Sequence, residues 1–221
     1  MTPAEILAAL SSDEPIPPYA ALESADGHRA LLIEPLLHAI DLGLAAPSSA
    51  SPGEAILFDY ALYLLAKWRE TRAYPYVIRW LSLRGEGPFD IAGDVVTQDG
   101  GQILAAVCDG DLEPIKALVL DRGANEYARD AGLKALALLA AWLEVPREPV
   151  VSFFLWPIGR HQRSVATNRV RAAAARSSGS AAAADQATER RRTLPHRASS
   201  CSRTLFARVT AVTGLCRNAA P

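Results

Sequence analysis

The sequence predicts an all-α fold for residues 1–155, built as a stack of helix pairs. Three observations support this prediction. Leucine, isoleucine and valine recur at helical spacing through most of this part. Residues typical of helix starts precede many of the apolar segments. One helix ending, Leu-Leu-Ala-x-Trp-x-Glu, occurs at positions 64–70 and again at positions 138–144. A repeated helical unit cannot bury its apolar face alone, so we expect neighbouring units to stack around one continuous core.

The N-terminal elements are predicted from their capping residues. Thr2, Pro3 and Glu5 form a Thr-x-x-Glu capping box with proline at the first helical position, which predicts a helix there. A second helix is expected to begin near Pro17 or Pro18. A longer helix follows at about residues 27–42, and the small-residue segment 43–53 is expected to be a loop.

After that loop the pattern becomes regular. The predicted helices are 54–70, one beginning at Pro75, one at 103–107, one capped by Asp111, one capped by Asn125 and running to about Leu143, and one beginning between Pro146 and Pro149. Glycine and proline at 85–88 predict a break. The segment 93–101 gives no clear prediction.

The internal repeat is the strongest of these signals. Residues 61–81 align with 135–155 without a gap, and 10 of the 21 positions are identical. The identities include Trp68 with Trp142 and Glu70 with Glu144, which chance matching of leucine and alanine does not explain. A degenerate middle copy lies between these two. Units of about 35–47 residues are typical of HEAT-type helical solenoids. We therefore expect a short HEAT-like α-solenoid in which both tryptophans pack between helices.

The charge is divided unequally along the chain. Residues 1–155 carry 22 acidic and 11 basic side chains, whereas residues 156–221 carry 2 acidic residues and 12 arginines. Alanine, arginine and serine make up more than half of that second part. Such composition predicts a disordered tail, and two origins stay open: a genuine basic tail, or the product of a frameshift in a GC-rich gene. Since no apolar run is long enough to cross a bilayer and no signal peptide is present, we expect a cytoplasmic protein without a membrane segment.

No catalytic motif is present in the sequence. There is no CxxC pair, no HExxH, no GxSxG and no phosphate-binding glycine motif, so we predict no cofactor, metal or catalytic residue. Acidic residues cluster near residues 94–113, and aromatic residues cluster at one helix start. The candidate interaction surface consists of Asp94, Asp99, Asp109, Asp111, Tyr74, Tyr76 and Trp80.

Three segments resemble a known bacterial family. They are Leu62 to Tyr76, Gly93 to Leu120 and Asn125 to Val151, and together they resemble the domain-of-unknown-function family 1186, whose members are HEAT-like helical proteins. The resemblance covers residues 1–155. It implies a helical fold, and it implies no activity and no catalytic residues.

Three functions remain open at this point. The repeat and the missing catalytic motifs favour a protein-interaction scaffold with an unknown protein partner. The acidic residues near 94–113 leave open an enzyme or a small-molecule or metal binder, which requires a pocket that several of them share. Nucleic-acid binding through the basic tail is disfavoured, because lysine is absent there and no aromatic residue interleaves the arginine cluster.

Overall fold

A computed structural model describes residues 1–45 and 50–155, and it confirms the all-α prediction for them. The described part contains no strand beyond one isolated bridge between Arg84 and Ala124. The helices are α1 (Pro3–Leu10), α2 (Tyr19–Ala25), α3 (Arg29–Ala45), α4 (Pro52–Lys67), α5 (Tyr74–Leu81), α6 (Gly87–Ala92), α7 (Val95–Gln98), α8 (Gly100–Val107), α9 (Glu113–Leu120) and α10 (Glu126–Ala141). Residues 147–155 are also helical.

Side-chain caps determine where several helices begin. Thr2 and Glu5 form the predicted capping box of α1, and Asn125 accepts a hydrogen bond from the backbone N–H of Tyr127 at the start of α10. A second capping box, formed by Ser51 and Glu54, starts α4 at Pro52. The expected loop over 43–53 was therefore too long at both ends, since α3 continues to Ala45.

The longer helices α3, α4 and α10 pack through α8, which lies between α4 and α10. Helix α3 packs against α4, α4 against α8, and α8 against α10. The shorter helices α5 and α9 contact each other, and α9 also packs against α10. Contacts between successive units are what stacked helix pairs predict. The assignment to a HEAT-like solenoid itself stays a prediction.

The segment that the sequence left unassigned holds the end of α6, all of α7 and the start of α8. Gly93 has a φ of +51° and ends α6, after which α7 and α8 follow. Helix α8 approaches α10 closely at Gly101, where an added Cβ would lie 2.6 Å from the Lys134 Cβ and 3.0 Å from the Ala131 carbonyl oxygen. The glycine at this position therefore lets the two helices pack backbone to backbone.

The repeated sequence motif is a helix C-cap. In the first copy, the backbone N–H of Arg69 donates to the Ala66 carbonyl and that of Glu70 donates to the Leu65 carbonyl. These are the two hydrogen bonds of a Schellman motif, and Arg69 takes the left-handed conformation with a φ of +52°. The helices consequently end at Lys67 and Ala141, earlier than the predicted 70 and 143.

The second copy repeats this cap. The backbone N–H of Leu143 donates to the Ala140 carbonyl, that of Glu144 donates to the Leu139 carbonyl, and Leu143 has a φ of +59°. Both copies place a non-glycine residue where glycine is the usual choice. Because that glycine is absent, the sequence pattern predicted both helix ends too late.

The two caps also contact each other. The Arg69 guanidinium forms an ion pair with Glu144 and lies 5.3 Å from the centre of the Trp142 ring. Trp68 is buried, and its indole N–H donates to Asp26 at 2.8 Å, whereas Trp142 is half-buried. Both tryptophans thus make the inter-helix contacts predicted for them, and the contact joins the two copies of the repeat.

Residues 146–155 group apart from residues 1–145 by their contacts. In this short part, Phe153 and Phe154 place their ring centres 6.3 Å apart. The predicted tail, residues 156–221, lies outside the described residues. Its disorder therefore stays a prediction.

Replacing Leu143 by glycine is expected to stabilise the protein by about 0.5–1 kcal/mol, because the left-handed conformation costs a non-glycine residue about 1 kcal/mol or more. The Leu143 side chain is 87% exposed, so its removal forfeits little packing. The free energy of unfolding in urea measures the effect. Leu143→Ala is the control, which keeps the strain and should leave stability unchanged. Equal effects of the two substitutions would contradict the strain argument.

Replacing Ser51 by alanine should destabilise the protein by about 1 kcal/mol, since it removes the side-chain acceptor of the α4 capping box. Thermal unfolding followed by circular dichroism tests this expectation. Ser82→Ala serves as the comparison, because Ser82 lies at a helix C-terminus and caps no N-terminus of a described helix. If the Ser51 variant unfolds at the same temperature as the wild-type protein, the cap does not determine where α4 begins.

Candidate functional site

The structure separates the seven residues of the predicted interaction surface. Tyr74, Trp80 and Asp99 are buried, with exposed fractions of 3%, 0% and 1%. Tyr76 is half-buried, and its ring lies 5.8 Å from the Arg79 guanidinium carbon. The remaining members, Asp94, Asp109 and Asp111, are exposed. Only the exposed and half-buried members are available to a partner, and their role in binding one stays a prediction.

Asp109 and Asp111 form a turn that leads into α9. The Asp109 carboxylate accepts the backbone N–H of Asp111, and the Asp111 carboxylate accepts the backbone N–H of Glu113, each at 3.0 Å. Asp111 therefore satisfies the first N–H of α9 as predicted, although it lies one residue before the N-cap Leu112. The Tyr74 hydroxyl donates to the Asp111 carbonyl oxygen at 2.6 Å, which fixes this turn against α5.

Trp80 belongs to the core. Its indole N–H donates to the Pro88 carbonyl oxygen at 3.0 Å, and its ring meets Phe58 edge to face with centroids 6.1 Å apart. A buried tryptophan normally satisfies its N–H in this way. Trp80 thus links α5 to α4 and to the start of α6.

Asp99 forms a polar contact within the core. One of its carboxyl oxygens, Oδ2, accepts a hydrogen bond from the Tyr63 hydroxyl at 2.7 Å. The other oxygen, Oδ1, is buried without a hydrogen-bond partner among the described residues, and the same is true of Oδ1 of Asp59. Asp59 lies one helical turn before Tyr63 on α4. Asp59 is half-buried as a residue, and its Oδ1 is the buried part. We call Asp59, Tyr63 and Asp99 the buried acid cluster.

Burial controls the electrostatics of this cluster. Burial raises the pKa of Asp99 to about 6, against the opposing effect of the Tyr63 hydrogen bond. Burial also raises the pKa of Asp59 well above its usual range. The pKa of Tyr63 is raised by burial and by the neighbouring charge of Asp99, so this hydroxyl keeps its proton and remains a donor.

Sequence reasoning did not identify Asp59 or Tyr63. One signal was present: Asp59 interrupts the otherwise apolar segment 55–66 of α4. A charged residue within such a segment is rare unless it has a partner or a changed ionisation state. The partnership with Asp99 was not visible, because 36 residues separate Tyr63 from Asp99.

A second feature that the sequence did not predict is an aromatic surface between α6 and α10. The rings of Phe89 and Tyr127 meet edge to face with centroids 5.6 Å apart, and Tyr127 is 50% exposed. The exposed residues Asp90 and Glu126 are the sequence neighbours of these rings, and the exposed Glu86 lies three residues before Phe89. We call these five residues the Phe89–Tyr127 patch.

Two long-range contacts hold the segments of this patch together. The Asn125 side-chain amide donates to the Gly85 carbonyl oxygen at 2.8 Å. Arg84 forms an ion pair with Asp121 at 2.8 Å. The start of α6 is therefore fixed beside the start of α10, and the aromatic pair is built on ordered backbone.

The basic side chains of the described residues are largely engaged already. At least eight of the eleven lysines and arginines form ion pairs with carboxylates. None of the three carboxylates of the Phe89–Tyr127 patch is paired with a described cation. This patch thus presents negative charge that the described part of the chain does not neutralise.

A shared catalytic pocket for the acidic residues is not seen in the described part. A small cleft is lined by Glu54, Phe58 and Asp90 among others, and by none of the seven predicted residues. No group of three or more metal-ligating side chains occurs within residues 1–45 and 50–155. None of the described helices combines the length and hydropathy that crossing a membrane requires.

Comparison with known proteins agrees with the resemblance seen in the sequence. The model of the family described as "Protein of unknown function (DUF1186)" matches residues 1–172, and so extends past Leu155, where the resemblance was expected to end. A protein of Chlamydia trachomatis serovar D named "Uncharacterized protein" is 41% identical over 95 residues, which are 43% of this chain and 38% of that protein. A protein of Chlamydia muridarum with the same name is 40% identical over 95 residues, with the same coverage. The chain thus spans about two fifths of the length of these relatives. No solved structure matches the chain significantly.

Replacing Tyr63 by phenylalanine should destabilise the protein by about 1–3 kcal/mol at pH 8, because Asp99 then loses its hydrogen-bond donor inside the core. Urea unfolding at pH 8 measures the loss. Tyr127→Phe is the matched control, since the Tyr127 side chain is half-exposed and water can replace any hydrogen bond of its hydroxyl. Equal stability of the two variants would show that the Tyr63 hydroxyl does not support the core.

Proposed function

The chain belongs to the DUF1186 family of proteins of unknown function, and we propose that its helical domain is a protein-interaction scaffold that binds a basic protein surface through the Phe89–Tyr127 patch. The observation that carries this proposal is the half-exposed aromatic pair, with three exposed carboxylates close to it in the sequence that no described cation pairs. The internal repeat supports it further, because stacked helical repeats commonly serve as binding surfaces.

The chemistry of the patch suits a protein partner. Tyrosine is enriched among the residues that contribute most to binding energy, since its ring buries a large area at a small cost in side-chain entropy. The Tyr127 ring is already held by Phe89, which limits that cost further. An aromatic centre with a polar rim is the usual anatomy of a protein interface.

Charge defines the class of partner. Residues 1–155 have 22 acidic and 11 basic side chains, so the domain repels acidic surfaces and attracts basic ones. Glu86, Asp90 and Glu126 would pair with lysine or arginine side chains around an apolar group that contacts Tyr127. Complementary charges at the rim of an interface raise the association rate, and their effect decreases with salt.

The proposal is tested by affinity capture with the full chain. The immobilised wild-type protein is incubated with a bacterial lysate, and each retained protein is identified, purified and titrated against wild type and variants. Tyr127→Ala should weaken the binding of the true partner by at least about tenfold, as expected when a central aromatic residue is truncated. Added salt should weaken binding further.

Asp130→Asn is the control for this experiment. Asp130 is an exposed carboxylate on the same helix as Tyr127, but it is paired with Lys134 at 2.9 Å. The partner should bind this variant as it binds wild type. The proposal is wrong if every captured protein binds Tyr127→Ala with wild-type affinity, or if no captured protein has a basic surface.

A further inference from the structure

We propose that the buried acid cluster is a proton-binding site that couples the packing of α7 and α8 on α4 to pH. The inference rests first on geometry. Asp99 lies at the junction of α7 and α8, is 1% exposed, and contacts α4 through the hydrogen bond to Tyr63. The Asp99 carboxyl can accept the Tyr63 hydrogen bond whether it is neutral or ionised. At 1% exposure, however, water does not solvate the ionised form, so ionisation weakens the packing at this junction.

Two buried oxygens of the cluster have no described partner. Oδ1 of Asp59 and Oδ1 of Asp99 both lack a hydrogen-bond partner within the described part of the chain. A buried carboxylate without compensation costs much more free energy than a neutral carboxyl. Each group therefore favours its protonated form, which carries no charge and lowers the cost of burial. Two such groups near one tyrosine make the cluster a place where the folded protein holds protons more tightly than the unfolded chain.

Among residues 1–45 and 50–155, no ion pair neutralises the cluster. The basic side chains near the cluster have other partners: Lys67 pairs with Asp26, Arg72 with Glu34 and Glu70, and Arg79 with Asp41. On α10, Lys134 pairs with Asp130 and also donates to the Thr97 carbonyl oxygen of α7, and Arg129 donates to the Val119 carbonyl oxygen. Glu5 on α1 and Glu54 on α4 are hydrogen-bonded to the backbone at their helix starts. Asp90 on α6 and Asp130 on α10 are exposed. Tyr63 is the ionisable group that faces Asp99 directly.

The direction of the pH effect follows from these positions. The folded pKa of Asp99 is about 6 and that of Asp59 is also raised, both above the usual value for an aspartate in an unfolded chain. Such groups contribute stability at low pH that is lost as pH rises through the folded pKa. Carboxylates with a lowered pKa, such as Asp26 and Asp121, act in the opposite direction and lose their contribution only at lower pH. The contribution of the cluster between pH 5 and pH 8 is therefore obtained by comparing wild type with a variant of Asp99.

The test compares urea unfolding of the full chain at pH 5 and pH 8. Between these values the unfolding equilibrium constant of wild type should rise by at least about tenfold relative to that of Asp99→Asn, because one pKa unit corresponds to a factor of ten. Asparagine keeps an oxygen that can accept the Tyr63 hydrogen bond, and it does not ionise. The unfolding equilibrium constant of the double variant, Asp59→Asn with Asp99→Asn, should change still less between pH 5 and pH 8.

Asp94→Asn is the matched control, since Asp94 is exposed and precedes Asp99 on the same segment. The unfolding equilibrium constant of this variant should change between pH 5 and pH 8 as that of wild type does. A second measurement is the infrared C=O band of protonated carboxyl. This band should be stronger in wild type than in Asp99→Asn at pH 5.5, and the difference should decrease by pH 8.

Any of three results would overturn the proposal. The first is that the infrared band of protonated carboxyl at pH 5.5 is no stronger in the folded wild-type protein than in Asp99→Asn. The second is that wild type and Asp99→Asn change in stability equally between pH 5 and pH 8. A difference at pH 8 that added magnesium abolishes would also overturn it, since the cluster would then bind a cation and not a proton.

Discussion

The fold depends on the burial of α8. Its residues Gly100, Gly101 and 103–107 are all buried, and the helix packs against α4, α5, α7 and α10. A helix surrounded on so many sides requires small residues where it approaches a neighbour, which Gly101 supplies against α10. It also requires that the polar groups at its ends find partners inside the protein. Asp99, at the start of α8, meets this demand for Oδ2 through Tyr63 of α4, whereas its Oδ1 has no described partner.

This constraint decides what the acidic and aromatic residues do. Trp80, Tyr74 and Asp99 looked like surface candidates in the sequence because aromatic and acidic residues are common at binding sites. The structure uses Trp80 and Tyr74 to connect α5 to the start of α6 and to the turn before α9, through their polar atoms. The exposed aromatic surface instead lies at Phe89 and Tyr127, where two helix starts meet. The DUF1186 family has no described function, so this division between core and surface residues rests on the structure.

Sequence-based prediction succeeded mainly for interactions between residues that are close in the sequence, and it failed for those between distant residues. The caps formed by Thr2 and Asn125 are local, and they were predicted correctly. Ser51 makes an equally local cap, but Pro52 and Gly53 favoured a loop and hid it. The repeat predicted a shared structural unit, and that unit is a Schellman cap whose left-handed residue is arginine or leucine rather than glycine. The Tyr63–Asp99 and Phe89–Tyr127 contacts join residues that are far apart in the sequence, so neither could be predicted without the fold.

The central claim is that Asp99 is an interior group whose environment is created by the packing of α8. Nuclear magnetic resonance titration of the aspartate side-chain carboxyl carbons in the full chain tests it most directly. Asp99 should titrate near pH 6, above the usual range of an aspartate. Titration of the Asp99 carboxyl within that usual range would show that the group is solvated and that α8 is not buried at its start.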